Sequence, residues 1–101
     1  MKKELIEKNY QILDHYGMLH QMDIWIEEMS ELIKEICKIK RNYDKWDGDI
    51  PFRNLNDTRL EITDVQVSLD QMKRALEYSE SHQEMDYEYK VDRALREIKE
   101  K

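Results

Sequence analysis

The chain has 101 residues, 40 % of them charged and 40 % apolar, with two Gly, one Pro and a formal net charge of −6. That length fits one domain spanning 1–101, and so few helix breakers among so many Glu, Lys, Leu and Ile favour long amphipathic helices over sheet. The acidic balance argues against a nucleic-acid polymer as partner, and no apolar run reaches the length of a membrane span. The lone Cys37 rules out an intramolecular disulfide and fits a reducing cytosol. The expectation is therefore a soluble cytoplasmic protein.

Residues 4–16 form the first predicted helix, with Leu5, Ile6, Ile12, Leu13 and Tyr16 near helical spacing and Gly17 as its break. The second and most regular runs from about 18 to 41. Leu19, Met22, Ile26, Met29, Ile33 and Ile36 are spaced 3, 4, 3, 4, 3, the apolar seam of a helix packed in a bundle. Beside it runs a second stripe, Trp25, Glu28, Leu32, Glu35 and Ile39, in which Glu28 interrupts apolar company. Residues 42–54 break the pattern and hold Trp46, the only Pro and Phe52, as either a functional flap or a set of ordered turns.

A third helix is predicted over 55–79, capped by Asn54 or Asn56. Its seam, Ile62, Val65, Leu69, Met72 and Leu76, repeats 3, 4, 3, 4, and the adjacent stripe reads Asp57, Glu61, Asp64 and Ser68. Ser81-His82-Gln83-Glu84 reads as a capping box for a fourth helix to about 99. Tyr87, Val91, Ala94 and Ile98 are expected to face inward there, with Lys90, Arg93 and Arg96 on the polar side. The fold expected is an all-α bundle of about four helices, with two long antiparallel helices at its centre. Helices two and three carry more apolar face than one hairpin hides, so a homodimer or homotetramer is expected.

Glu28 and Glu31 lie one helical turn apart, about 4.5 Å along the axis, and so do Glu61 and Asp64. Side-by-side packing would aim all four carboxylates at one place, where each raises the others' pKa. A hard divalent cation, Mg²⁺ or Mn²⁺ first, relieves that repulsion. The spacing alone is weak, because Glu77/Glu80 and Glu97/Glu100 share it. What distinguishes the two pairs is their mid-helix position beside the regular seams. His15, His20, His82 and Cys37 lack zinc-ligand spacing, and neither pair is the E-x-x-H of a di-iron site.

With Gln21, Glu27-Glu28-Met29-Ser30-Glu31-Leu32 and Glu61-Ile62-Thr63-Asp64-Val65, the region from about 17 to 96 resembles the MazG-like, all-α nucleoside triphosphate pyrophosphohydrolases. That superfamily includes the dimeric all-α dUTPases and the phosphoribosyl-ATP pyrophosphohydrolases. The 29 residues between Glu31 and Glu61 stand at the long end of the family's range. The resemblance implies Mg²⁺-dependent hydrolysis of a nucleoside triphosphate to the monophosphate and pyrophosphate. Glu28, Glu31, Glu61 and Asp64 would be the metal ligands, and one of them, with Glu28 favoured for its apolar setting, or Glu27 or Glu35 a turn away, would position or deprotonate the water. Gln21, on the face of Glu28, would read a base edge. Trp25 would either stack on the base or pack in the core. Lys90 and Arg93 match the family's later basic residues and would bind phosphates, or else be solvated charges. The competing expectation is a non-catalytic acidic helical interaction or regulatory protein, including a degenerate member of that family.

Overall fold

The computed structural model describes residues 1–100 as four helices: α1 Lys3–Tyr16, α2 Met18–Asn42, α3 Phe52–Ala75 and α4 Glu80–Lys99. Among these residues no strand forms, and no helix is long and apolar enough to cross a membrane. Gly17 makes the first corner. Its φ of 84° and ψ of 161° suit only a residue without Cβ, and its N–H still caps α1 on the Leu13 carbonyl at 2.8 Å.

The segment between α2 and α3 is a run of ordered turns rather than an open flap. Trp46, Asp47, Gly48 and Asp49 each donate a backbone hydrogen bond back into it, and Asp47 and Gly48 both have positive φ. The third helix starts three residues earlier than predicted. Pro51 (φ −56°) stands at the N-cap position, and Asn54 lies inside the first turn, its carbonyl bonded by the Thr58 hydroxyl. The same helix stops at Ala75, where Glu77 takes a left-handed φ of 54° and the Tyr78 N–H closes on the Lys73 carbonyl at 2.8 Å. The cap of α4 is Ser79, which accepts from the His82 N–H, and not Ser81.

Helices α2 and α3 form an antiparallel hairpin, since Gln21 meets Gln71 at one end and Glu31 meets Glu61 nearer the other. The stripes between them are the acidic ones. Trp25 and Ser68 are buried in this interface, and Glu28, Leu32, Glu35, Asp57 and Glu61 are half-buried along it. Most of the predicted seam residues instead face outward, with Ile26 61 % exposed, Ile33 60 % and Ile62 53 %, while Met22, Val65 and Met72 are half-buried. On each helix the seam follows the inward stripe by one residue. In an antiparallel pair those offsets turn to the same side, so the two seams make one continuous apolar face. α1 covers the opposite side, where Asn9 donates to the Val67 carbonyl at 3.0 Å.

α4 departs from expectation most. Its backbone approaches none of the other helices, and Tyr87, Val91 and Ile98 lie exposed instead of inward. The apolar core of the single chain is reduced to Leu13 and Trp25. The accessible surface, 8518 Å², exceeds by about 2,400 Å² the roughly 6,100 Å² typical of a folded monomer of 12.4 kDa.

Candidate metal centre

The hairpin brings three of the four acids that the sequence singled out into one cluster, with Asp64 outside it. α2 supplies Glu28 and Glu31, and α3 supplies Glu61 and Asp64. Carboxylate oxygens of Glu28, Glu31 and Glu61 lie within 4.8 Å of one another. Asp64 is more open, yet its charge acts on both Glu28 and Glu61.

One oxygen of Glu28 and one of Glu61 are buried without any hydrogen-bond partner. Leaving such an atom unpaired is costly, the more so when it carries charge. No basic side chain compensates. Among the described residues the five ion pairs lie elsewhere, the nearest in sequence being Glu35 with Lys38 at 3.2 Å. The consequence is a raised proton affinity. Loss of hydration pushes the Glu28 carboxyl above its usual range, and the charges of Asp64, Glu31, Glu61 and Glu27 add to it in that order. Glu61 is raised first by lost hydration, then by the charges of Glu31 and Asp64, by a hydrogen bond to Glu31, and by Glu35.

An all-oxygen set of this kind suits a hard dication. Ligands on opposite sides of Mg²⁺ stand about 4 Å apart and those around Ca²⁺ up to about 5 Å, so the spacing found here needs only small side-chain adjustment. The unpaired oxygens supply the donors.

Beside the acids, between α1 and the hairpin, lies a cavity of about 200 Å³. Ile12, Ile24 and Val67 form its apolar walls, Gln21, Gln71 and Ser68 bring polar groups, and Glu28 and Asp64 border it. Gln21 is therefore next to the acidic centre, as its spacing from Glu28 suggested. Its amide is already engaged: Nε2 donates to Gln71 Oε1 at 3.1 Å, and Oε1 lies 2.8 Å from His20 Nδ1.

Trp25 is 4 % exposed, and its indole N–H donates to the same Gln71 oxygen at 2.8 Å. It occupies a core position, not an open stacking platform. Lys90 and Arg93 are not brought to the acids within one chain. They ride on α4, where Arg93 reaches Glu97 at 3.4 Å and Lys90 stands beside Tyr78 and Val91.

Sequence reasoning missed Gln71 and Asn9. Gln71 is only 2 % exposed, and its Nε2 donates to Asn9 Oδ1 at 2.7 Å, which ties α1 to the hairpin. A signal existed: Gln71 extends the stripe Asp57, Glu61, Asp64, Ser68 by one more step of three. Comparison with protein-family models, with curated proteins and with solved structures gives no match to this chain.

Proposed function

We propose that the chain is a Mg²⁺-dependent nucleotide pyrophosphohydrolase, converting a nucleoside or deoxynucleoside triphosphate and water to the monophosphate and pyrophosphate. The observation that carries this reading is the pair of buried, unpartnered carboxylate oxygens on Glu28 and Glu61, in a cluster with no protein cation. Glu28, Glu31, Glu61 and Asp64 would hold the ion, with Mn²⁺ as a substitute. A bound Mg²⁺ neutralises phosphate charge and acidifies water.

The chain's own residues then have distinct tasks. Glu28, the acid set between the apolar Trp25 and Leu32, would position the water beside the ion or take its proton. Glu27 next to Glu28, or Glu35 further along α2, would be the alternative group that positions or deprotonates the water. The cavity beside Glu28 and Asp64 is the place for the nucleoside. Its apolar walls suit a base or sugar, and the second N–H of the Gln21 amide remains for a base edge. Lys90 and Arg93 enter phosphate binding only if a second copy presents them.

A non-catalytic interaction protein accounts for the bare apolar face but not for carboxylate oxygens buried without partners. Incubation with a panel of NTPs and dNTPs plus Mg²⁺, with pyrophosphate as readout, separates the two. If a nucleotide turns over, Glu31→Gln and Asp64→Asn each abolish turnover with circular dichroism unchanged. Activity retained in both variants would move the site elsewhere.

A further inference from the structure

We propose that α4 exchanges between two copies of this chain, each α4 lying in the groove of the other copy's α2–α3 hairpin. The assembly stands independently of the catalytic reading. Two surfaces of the single chain require cover. One is the continuous outward face of α2 and α3, with Ile26, Ile33 and Ile36 meeting Ile62 and Leu69. The other is α4 itself, whose Tyr87, Val91, Ala94 and Ile98 are spaced 4, 3, 4 and face solvent. An isolated helix of 20 residues is marginal in water without such packing.

The chain's own α4 is held away from its own hairpin. Lys73 pairs with Glu80 at 3.5 Å and the Tyr78 hydroxyl donates to Asp86 at 2.6 Å, fixing the first turns of α4 on the corner after α3. The excess surface of about 2,400 Å² is what one copy contributes to an obligate interface, roughly 1,000–2,500 Å² per partner. The dimensions also agree, since α4 at 20 residues spans about 30 Å and the α2 seam from Leu19 to Ile36 about 26 Å.

Charge sets the direction. Beside the α2 seam, exposed Asp23 and Glu27 precede Lys34 and Arg41. On α4 the order is the same: Glu84, Asp86 and Glu88 come first, then Lys90, Arg93 and Arg96. Antiparallel docking of α4 on α2 of the second copy sets the acid-rich start of each helix against the end of the other that carries its bases, and the two-fold exchange satisfies both copies at once.

Sedimentation velocity on the full chain tests this. The wild type sediments at twice the 12.4 kDa chain mass or a multiple of it, and Val91→Glu and Ile98→Glu reduce it to the single-chain mass. Because α4 packs against no other helix of its own chain, helicity by circular dichroism falls by no more than the fraying of α4. A monomeric wild type overturns the proposal and leaves the face for a different protein. So does a dimer that both variants leave intact, which would mean hairpin packed on hairpin.

A cross-link reads the direction. Cys37 is exposed beside the α2 seam. Mild oxidation should join it to a cysteine at Glu84→Cys, above the wild-type Cys37 background, and not to one at Ile98→Cys. The reverse pattern, or neither cross-link, contradicts antiparallel exchange.

Discussion

Gln71→Leu exchanges an amide for an apolar side chain of similar size, so it removes hydrogen bonds and leaves little cavity. Three buried groups lose their partner: Trp25 Nε1 at 2.8 Å, Gln21 Nε2 at 3.1 Å and Asn9 Oδ1 at 2.7 Å. Each stranded buried polar group costs about 1–3 kcal/mol, which makes the expected loss about 3–6 kcal/mol once a little apolar gain by Leu is allowed for. Against a total stability of about 5–15 kcal/mol that is a large fraction.

Urea unfolding followed at 222 nm measures it, at one fixed protein concentration because assembly contributes to stability. Ser30→Ala is the matched control. It removes an exposed hydroxyl bonded to the Ile26 carbonyl and should change stability by less than about 0.5 kcal/mol. A loss below about 1 kcal/mol for Gln71→Leu would refute the reasoning. It would mean that the amide network is not what fastens α1 to the hairpin.

The acidic centre makes its own demands on stability. Mg²⁺ at about 100 times its dissociation constant should raise the melting temperature by about 10 °C or more, read by differential scanning fluorimetry with an EDTA control; no shift with Mg²⁺, Mn²⁺ or Ca²⁺ would contradict a cation site. Glu28→Gln removes one mutually repelling charge, so the metal-free variant should melt higher than wild type at pH 7 while losing the Mg²⁺ shift. Both Glu28 and Glu61 bind protons more tightly folded than at the ordinary value of 4.5. Their contribution in EDTA is therefore fully present below about pH 4.5 and lost as pH rises through their higher folded values, and a thermal-melt series from pH 4.5 to 8 that shows no decline with rising pH would contradict it. Gly17→Ala should destabilise by about 1–3 kcal/mol in the same urea assay, since a Cβ there meets no atom but does meet a forbidden φ of 84°; an unchanged midpoint would show that the corner relaxes.

Helix number, class and the two acid pairs were legible in the sequence because periodicity and clustering are one-dimensional signals. Which stripe faces inward was not. Regular apolar spacing marks a surface to be buried but does not say by what, and in the single chain Ile26, Ile33 and Ile62 stay outside while Glu28, Glu61 and Gln71 go in. The end of α3 was hidden for a different reason. A Gly would have announced the left-handed residue, but here Glu77 occupies it, held by the Tyr78 N–H bond to Lys73. The buried amides escaped because Asn9 and Gln71 look like surface residues until α1 is laid against α3. The placement of α4, with Lys90 and Arg93, depends on partners outside the chain altogether.

The central claim is that Glu28, Glu31, Glu61 and Asp64 hold a dication for nucleotide hydrolysis. Pyrophosphate release from the full NTP and dNTP panel, measured with Mg²⁺ and again with EDTA, tests it most directly. Release from at least one nucleotide with Mg²⁺, abolished by EDTA and by Glu31→Gln, is the predicted result. No pyrophosphate from any nucleotide, in protein shown to be folded and to have its wild-type assembly, would contradict it.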